Sequence, residues 1–214
     1  MQGLAAFVVA QTVLAAPPLV PAIRLHLASE ITPLWQATEA RLDESGVAPP
    51  YWAFAWPGGQ AIARHVLDHP DLVAGLRVLD FAAGSGLAAI AAALAGAAFV
   101  EAAEIDPMAC AAIALNAAAN GVAVTCRAAD LVGSGALWDV VLAGDVCYER
   151  PMAERVMPWL RQLAADRCLV LMGDPGRSYL PDRGLAKMAS HVVPTSRELE
   201  DRTERETVIW RVLP

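Results

Sequence analysis

Positive charge is scarce in this chain and is nowhere concentrated. Sixteen Lys and Arg stand against 23 Asp and Glu in 214 residues, giving a net charge of -7, and no basic run forms a stripe able to neutralise phosphates. Nucleic acid is therefore not an expected partner. Cysteine is equally sparse: Cys110, Cys126, Cys147 and Cys168 lie far apart, with no CxxC pair and no interleaved histidine. That spacing excludes a zinc knuckle or a redox dithiol and leaves free, buried thiols as the reading. His26, His65, His69 and His191 share no metal-ligand spacing, so no metal is expected. The apolar N-terminus has no Lys or Arg before Arg24, and Pro17, Pro18 and Pro21 interrupt it short of a membrane span. A signal peptide and a membrane partner are both set aside, and the expected compartment is the cytoplasm.

Apolar residues, by contrast, make up 56% of the chain and charged ones 18%, enough to bury one sizeable α/β core and too few charges for a solvated tail. From about residue 77 short apolar runs alternate with Ala-rich helical patterns, which predicts βα units and a parallel sheet. "RVLDFA", "AFVEAAEI", "VAVTCRAA", "WDVVLAGD" and "RCLVLMGD" read as five parallel strands, with helices over "GLAAIAAALAG", the segment after Pro107, and "PMAERVMPWLRQLAA". A short helix is predicted over "LAKMASHV", followed by a closing antiparallel pair in "TSRELED" and "ETVIWRVL", which makes a seven-stranded, doubly wound sheet. Residues 1–56, rich in proline and carrying a helical patch "AIRLHLASEITPLWQATEARL", read as a helical arm or lid over the strands' carboxyl ends, and 57–214 as the domain proper.

The turn after the first strand holds the functional signal. In open α/β sheets ligands sit beyond the carboxyl ends of the strands. A dinucleotide fingerprint would require glycines at 82, 84 and 87, but the chain offers Ala82, Gly84 and Leu87. What it has is an acid, Asp80, followed by small residues at Ala82, Gly84 and Gly86, which let a nucleoside approach the backbone with no pyrophosphate to cradle. Glu104 ends the next strand about twenty residues later, where a carboxylate can accept from ribose hydroxyls, and Asp106 is placed to cap the helix opened by Pro107. Asp130 is either an acceptor for an adenine amino group or a surface turn residue.

These features resemble the class I S-adenosylmethionine-dependent methyltransferase fold, a Rossmann-like sheet, over roughly residues 76–214. "PPYWAFAWPGGQAIARHVLDHPDLVAGLRVLDFAAGSG", "EIDPMACAAIALNAAANG", "WDVVLAGDVCYE" and "GDPGR" then resemble the electron-transfer flavoprotein β-subunit lysine methyltransferases, within the seven-β-strand protein lysine methyltransferases. The resemblance implies S-adenosylmethionine as cofactor and lysine side chains of the electron-transfer flavoprotein β subunit as substrate. It implies catalytic roles for Asp145 and Tyr148, the ends of a (D/E)-x-x-(Y/F) motif. It also implies a cofactor set of Trp56, Gln60, Asp80, Ala82, Gly84, Gly86, Glu104, Ile105 and Asp130. Ala82 departs from the family's usual glycine.

A lone carboxylate at Asp145, in place of an N-P-P-Y run, suits a cationic amine, and the Tyr148 ring supplies a face for its nitrogen. The bland alternatives are a helix cap for Asp145, a loop aromatic for Tyr148 and core duty for Trp52 and Trp56 before a Pro-Gly-Gly turn. Asp174 and Arg177, in "GDPGR", contact substrate or form a turn. Methylation of a small amine, and a cofactor-binding module without chemistry, are the alternative functions.

Overall fold

Alternation inside the apolar runs decides which element covers which face of the sheet. The computed structural model describes residues 2–29 and 49–214. Seven strands, β3 Arg77–Phe81, β4 Phe99–Glu104, β5 Thr125–Ala128, β6 Val140–Gly144, β7 Leu169–Asp174, β8 Leu185–Pro194 and β9 Glu204–Val212, form one sheet in the order β5-β4-β3-β6-β7-β9-β8. β3 to β7 run parallel, and β9 is antiparallel to both neighbours. Leu79, Val141, Val170 and Met172 point into a cluster built on helix α5, Arg150–Ala165. Val78, Val140, Leu142 and Leu171 point the other way, against α2, Pro57–Asp68, and α3, Leu87–Leu94. Both faces of these strands are thus covered, as continuous apolar runs in parallel strands require.

The predicted helix over "LAKMASHV" is instead part of β8. Its Ala, Lys and Met favour a helix locally, but nine residue pairings along β9 supply the hydrogen bonds, with a bulge between Lys187 and Ala189. The short helix α6, Arg197–Glu200, forms between β8 and β9, where part of a strand was expected. The Pro-Gly-Gly segment is no isolated turn: Pro57 occupies the first position of α2, where its missing N–H costs nothing. Gly58 and Gly59 then lie against Gly173 and Gly144 at the ends of β7 and β6, so closely that a side chain on Gly144 would sit 2.8 Å from the Gly59 nitrogen.

The arm behaves differently from a simple lid. Helix α1, Gln2–Gln11, lays Val8 against Met108, Ala109 and Ala112 of α4, Pro107–Ala119. Strands β1, Val13–Ala15, and β2, Leu25–Leu27, pair as a hairpin, so the front of the predicted helical patch is strand. The rest of that patch falls within residues 30–48, outside the described residues. Two asparagines one turn apart, Asn116 of α4 and its C-cap Asn120, hold β2 and the residue before it: Asn116 accepts from the His26 N–H at 2.7 Å, and Asn120 accepts from the Arg24 N–H at 2.9 Å while donating to the Arg24 carbonyl at 2.6 Å. Among the described residues of the arm, the segment around the 3₁₀ turn Tyr51–Ala53 skirts the strands' carboxyl ends.

Candidate functional site

Three residues of the turn after β3 take left-handed backbone angles: Ala82 (φ 52°), Gly84 (φ 51°) and Gly86 (φ 77°). For the two glycines this costs little, and at Gly86 an added Cβ would also press on Ile113 at 3.1 Å. Ala82, the departure from the family pattern, carries a side chain into the same region at a cost of about 1 kcal/mol or more. The turn borders a cavity shared with Phe54, Trp56, Gly144 and Asp145.

Asp80 lies on the cavity wall, 3% exposed, with Oδ2 accepting from the Ala89 N–H at 2.9 Å. Burial pushes its carboxyl up to about 8, with the Ala89 N–H pulling down and the Glu104 charge adding to the rise. The free energy follows the proton: a carboxyl that titrates higher folded than unfolded contributes stability below the unfolded value near 4 and loses it as pH rises through about 8. Asp80→Asn is therefore expected to gain melting temperature relative to the parent between pH 5 and pH 9; parallel curves across that range would exclude a buried, titrating Asp80.

Glu104 spans the turn rather than pointing freely outward. Oε2 accepts from the Gly84 N–H at 2.9 Å, and Oε1 accepts from the Ile105 N–H at 2.8 Å. Next to it Ile105 is 72% exposed, an apolar side chain on the surface beside the turn. Asp106 caps α4 as expected, accepting from the Met108 N–H at 2.8 Å.

Asp145 follows β6 at φ 55° and lines the same cavity. It does not cap α5, whose N-cap is Glu149. Its Oδ2 accepts from the Gly58 N–H at 2.6 Å, and its Oδ1 accepts from Arg177 Nε at 3.0 Å and Nη2 at 2.7 Å. Burial pushes this carboxyl up to about 6 against the pull of the Arg177 guanidinium, with Asp174 adding to the rise. Tyr148 stands at 37% exposure with its ring 5.6 Å from that of Tyr51, and burial raises its phenol to about 12. Trp56 borders the cavity with its indole N–H donated to the Tyr51 carbonyl at 2.8 Å, whereas Trp52 is core.

Two expected cofactor residues are drawn elsewhere. The buried Gln60 donates to the Ala55 carbonyl at 2.7 Å and accepts from the Leu19 N–H at 3.2 Å, so its amide ties the arm to α2 and does not border the cavity. Asp130 is exposed, paired with Arg155, and its other oxygen closes a turn by accepting from the Val132 N–H at 3.1 Å. Of its two readings, the surface turn is the one the geometry supports. Cys147 is a packing residue, its thiol pushed up to about 12 by burial. Among the described residues no cluster of His, Cys, Asp or Glu is placed to hold a metal ion, and no helix is long and apolar enough to cross a membrane.

Sequence reasoning misses the partners of Asp145. It leaves Arg177 between substrate contact and a turn, and Gly58, Tyr51, Glu200 and Arg205 carry no signal beyond an aromatic, a Pro-Gly-Gly run and a charged turn.

The sheet order, the small-residue turn and the acid ending β4 define a class I S-adenosylmethionine-dependent methyltransferase fold. Magnesium protoporphyrin IX methyltransferase from Synechocystis PCC 6803, solved with bound SAM, shares it with a TM-score of 0.54 at 21% identity over 73% of this chain and 78% of that one. The family model of ribosomal protein L11 methyltransferase (PrmA) matches residues 65–146. The electron transfer flavoprotein beta subunit lysine methyltransferase of Xenopus laevis is 35% identical over 97% of this chain and 86% of its own length. The Danio rerio protein of the same name is 39% identical over 76% of this chain and 66% of its own, just under two thirds. The chain belongs to the electron transfer flavoprotein beta subunit lysine methyltransferase family.

Proposed function

We propose that this protein is a protein-lysine N-methyltransferase that takes its methyl group from S-adenosylmethionine and modifies the electron transfer flavoprotein beta subunit. The observation that carries the reading beyond the family is the placement of Asp145: a buried carboxylate on the wall of the cavity bordered by the 82–86 turn.

The residues present fit the cofactor. A turn of small side chains leaves the backbone open, Glu104 offers a partly exposed carboxylate for ribose hydroxyls, and Ile105 offers an apolar face for a purine. When bound, S-adenosylmethionine supplies a methyl group on a positively charged sulfur, open to in-line displacement. The chain's own task is then to align an amine and exclude water. An ionised carboxylate accepts at about four lone-pair sites. Gly58 and the two Arg177 donors take three on Asp145, which leaves one for a substrate ammonium. Tyr148, three residues on from Asp145 and with its ring 5.6 Å from that of Tyr51, would supply an aromatic face for the cation. Capture favours the charged amine and attack needs the neutral one, so burial of the amine works against the carboxylate on the lysine's proton.

Incubating the protein with S-adenosylmethionine and purified electron transfer flavoprotein, followed by peptide mass spectrometry, is expected to find methyl groups on lysines of the beta subunit. Methylation of added small amines with an unmodified beta subunit would overturn the assignment of substrate.

A further inference from the structure

The side chain that holds Asp145 is itself held from a distant part of the sequence. Arg177 lies in the loop after β7, its own N–H donated to Asp174 Oδ1 at 2.7 Å. Its guanidinium reaches Asp145 with two bonds and turns its other edge to Glu200 of α6, at 3.1 Å from Nη1 and 2.5 Å from Nη2. Glu200, its side chain 1% exposed, also accepts from Arg205 Nε of β9 at 2.9 Å. The indole of Trp56 lies beneath, 5.9 Å from the guanidinium carbon. Five donors in a planar fork suit a residue bridging two carboxylates, and neither lysine nor glutamine reproduces that geometry.

We propose that Arg177 is a positioning residue for methyl transfer: it fixes and charges Asp145, and through Glu200 and Arg205 it makes the site depend on the tip of the β8–β9 hairpin. The inference rests on the reading of Asp145 as the group that receives the substrate amine. The chemistry is one of charge balance. Asp145 has burial and the neighbouring Asp174 carboxyl opposing its ionisation, with the buried Cys147 thiol close by, while Arg177 and the Gly58 N–H favour it. Arg177 is the cation in that set, and Glu200 keeps it from being a lone buried charge. Arg205 in turn offsets Glu200, so the chain of pairs runs from the cavity wall to the hairpin without an uncompensated ion.

The test uses Arg177→Gln, Arg177→Lys, Glu200→Gln and, separately, Asp145→Asn in the full chain. Removing the guanidinium raises the carboxyl of Asp145, so less of it is ionised near neutrality. Arg177→Gln is expected to lower kcat about tenfold or more at pH 7, with a deficit that shrinks toward pH 9, because a carboxyl titrating above the working pH loses its ionised form about tenfold for every pH step between the two. Arg177→Lys is expected to restore part of the loss, and Glu200→Gln, which removes the anion sharing the guanidinium with Asp145, to move the pH profile the opposite way by less. Calorimetric affinity for S-adenosylmethionine is expected to stay at the parent value in all three. Parental kcat and pH profile in both Arg177→Gln and Glu200→Gln would overturn the inference, as would a loss equal at every pH that merely tracks a lowered melting temperature. Should Arg177→Gln not fold, Glu200→Gln decides alone. Full activity of Asp145→Asn overturns the reading of Asp145 instead, and is a distinct result.

Discussion

Asp145→Asn is expected to lower turnover at least about 100-fold, within the range for losing a positioned acid–base or charge partner at a reacting centre. Asparagine matches the shape of the carboxyl but has one acceptor where Asp145 uses two: Oδ2 for the Gly58 N–H and Oδ1 for Arg177. In either amide orientation a donor faces a donor. The substitution therefore also costs about 1–3 kcal/mol of stability, the penalty for an unsatisfied buried group. Arg177 keeps its pair with Glu200 and stays balanced, which confines the damage to the site. Steady-state rates with protein substrate, alongside urea denaturation, measure both effects; a kcat within about threefold of the parent, well short of the loss expected of a reacting-centre group, would remove Asp145 from the mechanism.

Gly58→Ala is the second change with a large expected effect. A Cβ there would fall onto the Gly173 carbonyl oxygen and the Asp145 carboxylate, and would lie 2.7 Å from the Asp145 nitrogen. Two of those three obstacles are backbone atoms at strand ends, which cannot rotate away. Stability is expected to fall by about 3 kcal/mol or more, the upper end for overpacking. Gly59→Ala is the matched control: nothing lies within 4 Å of its added methyl, and alanine in a helix gains about 0.5–1 kcal/mol over glycine. Denaturant midpoints for the pair should therefore move in opposite directions, and similar values would refute the close packing of α2 on β6 and β7.

The contrast between these two glycines marks where sequence reading stops. "PGGQ" shows a break in composition, but which glycine is squeezed depends on two other glycines, at 144 and 173, that arrive from separate strands. The parallel core was legible because its central strands β3, β6 and β7 are built on apolar runs, a pattern that survives without knowledge of neighbours. β8 was not, because its Ala-, Lys- and Met-bearing residues are extended only while β9 holds them. Asp106 was legible as a cap for the same reason the core was: its partner is two residues away. The anchoring of Asp145 was hidden, since Arg177 lies 32 residues further on and Glu200 another 23. The partners of Gln60 and Asp130 were hidden because a polar side chain near a predicted site has many backbone and ionic partners to choose from, and only three dimensions select among them.

β9 follows every other strand in sequence yet lies between two of them. During synthesis on the ribosome β7 and β8 emerge first and have no direct partner in each other, so the gap between them closes only when that segment arrives. Glu200 and Arg205 come with it. On the proposed reading of the site, a nascent chain short of β9 has the 82–86 turn framed by early strands but lacks Arg205, so the anchoring of Arg177 on Asp145 is completed only when the sheet closes.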